Sequence, residues 1–234
     1  MKIFGTIESI VEWYCSAPPK SKNQWKDGYS AKEFAKMWFK NESVSMPKEI
    51  TDYIQAAMGN FEAIYAIPEY ETNFDDFGNG RHHDMFILCK KKESEEKFVV
   101  CIEAKVEESL GKTVEDSLKN ISSSSNIPQR MEGMKNVLNM TNVNVSKLRY
   151  QLFTGSVGTL CEAKKQNVDK CLFIVLQIVP QSRKDINTDS THKDFEEFVK
   201  SNGAEKVNNA DNTYILKTAI KNIKTYIGYL SANT

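Results

Sequence analysis

The chain has no excess of charge. Lysine plus arginine and aspartate plus glutamate each number 31 among 234 residues. A globally basic nucleic-acid binder is therefore not indicated, although a local basic groove is compatible with neutrality, because net charge is silent about distribution. Long apolar runs are missing too. The opening MKIFGTIESIVEWYC has no continuous apolar stretch of signal-peptide length. No window approaches the roughly 18 apolar residues of a membrane span. The five cysteines, at positions 15, 89, 101, 161 and 171, are odd in number and show no CxxC or Cys/His metal spacing. Cys89 and Cys101 lie in strand-like apolar runs, so they read as reduced core residues of a cytoplasmic protein, not as a disulfide frame. The sequence shows no internal repeat, helix-turn-helix, zinc module, ATPase motif or linker.

What is present is a polar insertion in an apolar setting. RHHDMFILCKKKESEEKFVVCIEAKV, residues 81–106, reads as two strands joined by a charged turn, and the second strand carries Glu103-Ala104-Lys105. Strand side chains alternate between faces, so Glu103 and Lys105 share one. Pairing Lys90 with Lys97 across a six-residue turn puts Asp84 opposite Glu103. A bulge would shift that register by one residue. Directly opposed residues have Cβ atoms about 4.5–5.5 Å apart, and opposed like charges are unfavourable unless neutralised. A hard divalent cation does this with oxygen ligands. Two carboxylates holding Mg²⁺ or Mn²⁺, with a lysine beside them, suit phosphodiester hydrolysis. The metal lowers the pKa of a bound water, and the lysine stabilises developing charge. The Ala104 carbonyl is a further possible ligand. The ordinary reading of Glu-x-Lys on a strand is a solvated edge or a cross-strand ion pair. His82 and His83 are adjacent and face opposite sides, so they do not make a metal pair.

Around this pair the sequence predicts helices at YSAKEFAKMWFK, with Ser30 and Glu33 as a capping box, and at MPKEITDYIQAAMGN, opened by Pro47 and closed by Gly59. A strand is expected from Ile64 to Thr72, and turn-rich NFDDFGNG follows. KTVEDSLKN, capped by Thr113, and IPQRMEGMKNVLNM, opened by Pro128, read as short helices. SKLRYQLFTGSVGTLCEAKKQ is the longest helical pattern, and its Gly155 and Gly158 point to close approach by a neighbour. KCLFIVLQIVP reads as a strand buried on both faces, followed by a helix at KDFEEFVKSNG and one or two strands in the tail. The expected fold is a single α/β domain of the α+β type. It has a central mixed sheet of about four to six strands flanked by helices. Residues 1–60 form an N-terminal helical part, 61–180 the core and 181–234 a C-terminal helix and strands.

Asp84, then 18 residues, then Glu103-Ala104-Lys105 resembles the D…(D/E)xK motif of the PD-(D/E)xK nuclease superfamily, which has the restriction-endonuclease-like fold. GRHHDMFIL, CIEAKVEESLGKTVEDSL and LRYQLFTGSVGTLCEAKK together resemble an uncharacterised bacterial domain family of that superfamily. The similarity runs over residues 69–179, with Ala104 in place of the usual glycine. The resemblance implies a Mg²⁺- or Mn²⁺-dependent nuclease with DNA as the expected substrate. Asp84 and Glu103 would be metal ligands, Lys105 the group that activates water, Gln151 a catalytic support and Arg149 a phosphate clamp. It also implies a homodimer as one way of cutting both strands. Glu69 is a candidate third acid, against the reading of an exposed strand carboxylate. Asp75 and Asp76 read as turn residues, and Glu107 and Glu108 as possible additions to the acidic patch. Lys90, Lys91 and Lys92 read as a hairpin turn in preference to a phosphate contact. The alternative is a non-catalytic member of the fold that binds nucleic acid or protein.

Overall fold

The computed structural model describes residues 2–3, 7–19, 21–39, 43–119, 121–181 and 189–233. A two-residue strand β1 (Lys2–Ile3) precedes helices α1 (Ile10–Ser16), α2 (Ser30–Trp38) and α3 (Lys48–Met58). Three long strands follow: β2 (Phe61–Thr72), β3 (Arg81–Lys91) and β4 (Lys97–Lys105). Then come α4 (Val114–Leu118), α5 (Ile127–Val137), α6 (Tyr150–Lys165) and β5 (Lys170–Val179). The chain continues through α7 (Asp189–Asn202), β6 (Glu205–Lys206), β7 (Thr213–Ile215) and β8 (Lys224–Asn233). Among the described residues one mixed sheet of eight strands results, in the order β1-β2-β3-β4-β5-β8-β7-β6. It exceeds the expected four to six because β1, β6 and β7 are too short to show a periodicity. Among the described residues no helix is long and apolar enough to cross a membrane.

The β2–β3–β4 meander is antiparallel, and β4, β5 and β8 run parallel. Helices therefore occupy the two long crossovers. They cover both faces, as a sheet with a parallel centre requires. On one face Trp13, Phe34, Trp38, Ile50 and Ile54 of α1–α3 pack on Met85, Ile87, Val100 and Ile102. On the other, Leu152, Phe153 and Leu160 of α6 and Phe195 and Phe198 of α7 pack on Phe86, Val99, Cys101 and Phe173. Strand β5 lies centrally, buried from Cys171 to Ile178, as its continuous apolar run predicts.

One local detail differs from the sequence reading. Helix α2 starts at Ser30 itself, after Tyr29, and has no cap from a side chain within it. Its first turn is satisfied instead from Glu108, which accepts from Ser30 N at 3.2 Å and from Ser30 Oγ at 3.0 Å. Glu33 accepts from Gly28 N at 2.8 Å. The expected capping box is thus replaced by a carboxylate 78 residues away in sequence. The last two lysines of β3 make the expected hairpin ion pairs, Lys90 with Glu95 at 2.6 Å and Lys91 with Glu96 at 3.4 Å.

The two glycines of α6 sit at close approaches. A Cβ at Gly155 would overlap the Phe173 ring. One at Gly158 would stand 2.6 Å from Thr72 Oγ1 and 3.0 Å from His83 Nε2. Phe173 is fully buried, so its ring has nowhere to retreat. Gly155→Ala should destabilise the protein by about 1–3 kcal/mol, because overpacking outweighs the gain in helix propensity. Gly133→Ala on α5 meets no atom within 4 Å and should be neutral or slightly stabilising. Urea unfolding of the two variants checks this pair.

Candidate functional site

Strands β3 and β4 pair in the register expected from the turn, from Lys90 opposite Lys97 to Met85 opposite Ile102. The next pair would be Asp84 with Glu103, but there the backbone ladder stops. Asp84 Oδ2 accepts from Ala104 N at 2.6 Å instead. The cause is a turnover of the chain. Phe86 packs in the α6-side core. His83, three residues earlier, is edge-on to Phe173 of the same core, with ring centroids 6.0 Å apart. Strict alternation would put His83 and Phe86 on opposite faces. Strand β2 does the same beside it: Ile67 and Tyr70 both pack on the α6-side core. Pro68 pairs with Met85 and Tyr70 with His83, so Glu69 and Asp84 lie between matched pairs, where both strands turn over. Glu69 takes a left-handed backbone, with φ of 50°. For a residue with a Cβ this costs on the order of 1–3 kcal/mol and is typical of functional sites.

Glu103 is buried and sits between two cations. Lys105 Nζ donates to Oε1 at 2.6 Å, and Arg81 Nη2 pairs with Oε2. Burial pushes the Glu103 carboxyl up, but Arg81 and Lys105 outweigh it and hold it below the usual range. Burial pushes Lys105 down, but Glu103 and Asp84 outweigh that and hold it above its usual value. Asp84 and Glu69 go the other way. Burial, then the Glu103 charge, pushes Asp84 up to about 7, against Lys105, the Ala104 N–H and Arg81. Burial, then Asp84 and Glu103, pushes Glu69 up to about 8. Three carboxylates thus act on one another across the ends of β2, β3 and β4, with two basic groups among them.

These shifts fix a pH dependence. A carboxyl whose folded pKa is raised contributes stability that is full below its ordinary pKa and lost as pH rises through the folded value. Between about pH 4 and pH 8 the cation-free protein should therefore lose on the order of a few kcal/mol from Asp84 and Glu69. Saturating Mg²⁺ should restore much of it. Urea unfolding at pH 5 and pH 8, with and without the ion, checks the sign. Stability rising with pH in the cation-free protein would contradict it.

A cavity of about 910 Å³ opens beside these strand ends, with Glu69, Arg81, His82 and Gln151 in its wall. Gln151, on the first turn of α6, is half-buried, and its Oε1 has no hydrogen-bond partner among the described residues. Arg149 is otherwise engaged. Its Nε donates to Asp194 Oδ2 at 2.8 Å and its Nη1 to the Gly111 carbonyl at 3.0 Å. It ties the start of α6 to α7 and to the loop after β4, so the expected phosphate clamp is in this structure a latch between elements. Asp75 is a turn residue, accepting from Phe77 N at 3.1 Å and pairing with Arg130 at 2.7 Å. Glu108 caps α2. The partner of Glu103 that the sequence reading did not single out is Arg81, which lies in the GRHHDMFIL block three residues before Asp84.

The family model for a domain of unknown function, DUF6946, matches residues 6–234. The chain belongs to that family. No curated protein and no solved structure matches it. In this DUF6946 chain, among the described residues, no three His, Cys, Asp or Glu side chains stand together as a ready metal cage. The donor set is the pair Asp84 and Glu103, with Glu69 nearby. Mg²⁺ is commonly held by one or two carboxylates and completed by water and substrate oxygens. Burial first, and then the neighbouring carboxylate charges, raise Asp84 and Glu69, and a hard divalent ion would offset both costs, so the residues fit such an ion. Oε2 of Glu103 is paired with Arg81, whose positive charge opposes a cation at that oxygen.

Proposed function

We propose that this chain is a metal-dependent phosphodiester hydrolase acting on nucleic acid, with DNA as the expected substrate, built on a restriction-endonuclease-like core. The observation that carries the reading is the gathering of Asp84, Glu103 and Lys105 at the adjoining ends of β3 and β4. The order α3, β2–β4, α6, β5 also agrees with the helix, three strands, helix, strand plan implied by the D…(D/E)xK resemblance.

Asp84 and Glu103 would hold Mg²⁺ or Mn²⁺, which when bound polarises the scissile phosphate and lowers the pKa of a bound water. Glu103 keeps its charge at neutral pH because Arg81 and Lys105 hold its proton affinity down. Asp84 is fixed by its bond to Ala104 N, so one oxygen is spent on orientation. Lys105, held at 2.6 Å from Glu103, supplies a fixed positive charge for the phosphate oxygens as negative charge builds. Gln151 offers its unpartnered Oε1 to the attacking water. Glu69 adds a third acid at the cavity wall.

A specific observation favours the second reading, a non-catalytic binding module. Both oxygens of Glu103 are already in ion pairs, as expected of a satisfied polar network. The experiment that separates the two is incubation of the protein with single- and double-stranded DNA and RNA in Mg²⁺, in Mn²⁺ and in chelator. Cleavage that needs the ion supports the hydrolase. Binding to any of these without cleavage supports the module.

A further inference from the structure

Glu103 and the cavity are connected through one side chain. Arg81 stands in the cavity wall and pairs with Glu103, whereas Asp84 and Glu103 do not themselves line that wall. Its side chain is only 14% exposed, and its buried Nε has no hydrogen-bond partner among the described residues. A guanidinium carries five donors in a planar fork, matched to carboxylate or phosphate oxygens. Here the fork is underused, and Gln151 Oε1 in the same wall also lacks a partner. Charge makes the same point. With a divalent cation on the carboxylates, the ion and Lys105 together balance Glu69, Asp84 and Glu103. The Arg81 charge is then surplus and equals the single negative charge of a phosphodiester.

We propose that Arg81 is a stand-in for the divalent cation: it holds Glu103 in the cation-free protein, yields Oε2 to the ion, and turns into the cavity to grip a phosphate oxyanion of the substrate. This rests on the hydrolase reading and adds the exchange of partners. The guanidinium on Oε2 competes with a cation for that oxygen, because two positive charges at one buried oxygen repel each other, while Lys105 keeps Oε1. Arg81 is thus a competitor of the ion and a helper of the substrate.

The test is calorimetric titration of Mn²⁺ alone into wild type, Arg81→Met and Arg81→Gln, followed by titration of a phosphorothioate DNA duplex with Mn²⁺ present. Removing the competitor should tighten Mn²⁺ on the order of tenfold, and removing the clamp should weaken the duplex by a similar factor. A residue that merely held the fold together would weaken both. Mn²⁺ binding that is unchanged or weaker in the variants, with wild type binding the ion, overturns the proposal and leaves the hydrolase reading standing. No Mn²⁺ binding by any form, duplex included, removes both. If the variants do not fold, the Arg81 Nε–H resonance of wild type decides: Mg²⁺ should shift it, and an unmoved resonance overturns the proposal.

Discussion

Lys105→Ala should lower the cleavage rate on the order of 10²–10³ while cation affinity stays the same or rises. An ammonium is not a metal ligand, so its loss removes no donor from Asp84 or Glu103. It does free Glu103 Oε1, now held at 2.6 Å, and it removes a positive charge that repels an incoming ion. The rate falls because the lysine is buried beside the carboxylates, where a fixed charge stabilises the transition state more than water would. Single-turnover cleavage at saturating Mn²⁺, paired with calorimetry, measures both quantities. Equal rates for Lys105→Ala and wild type would reject the catalytic role of the lysine.

Glu103→Gln should abolish cation binding and cleavage together, and also cost about 3–5 kcal/mol of stability in the cation-free protein. The Glu103 side chain is 5% exposed, and its two cationic partners are 14% and 11% exposed. Removing the carboxylate charge leaves Arg81 and Lys105 close together and buried, with only Asp84 and Glu69 to compensate them. The penalty of breaking such a cluster comes mainly from the charges left behind. Adding Arg81→Met to Glu103→Gln should recover part of the stability without recovering activity. Urea unfolding of the single and double variants checks this. A Glu103→Gln protein as stable as wild type would mean that the ion pairs hold nothing together.

The central hairpin was legible because its signals are local. An apolar run interrupted by Glu103 and Lys105, and a charged turn flanked by Lys90 and Lys97, set the register down to Met85 opposite Ile102; the bond of Asp84 to Ala104 N in place of a pair with Glu103 was not legible. Gly155 and Gly158 marked the close face of α6 because few other reasons put glycine inside a helix. The turnover at Glu69 and Asp84 was not legible. Glu69 is no glycine or asparagine, and its left-handed backbone is imposed by the paired strands on either side. The Arg81–Glu103 pair was not legible because the two residues lie on different strands 22 positions apart, and no local pattern reports such a contact. The latch made by Arg149 was hidden because its partner, Asp194, lies 45 residues away on another helix. No periodicity reports such a contact. The same holds for Glu108, whose capping of α2 joins segments far apart in sequence.

Two carboxylates gathering one hard cation are the centre of the proposed chemistry, and titration of Mn²⁺ into wild type and Asp84→Asn tests it most directly. The amide oxygen of an asparagine at this position can still accept from Ala104 N, so the fold should be kept while one ligand charge is lost. The predicted result is a single site in wild type, weakened on the order of tenfold or more in the variant. The cation-free variant should also be more stable than wild type at pH 8, since the raised Asp84 carboxyl is gone. Equal Mn²⁺ affinity in the two proteins, or no binding by wild type even with DNA present, would contradict it.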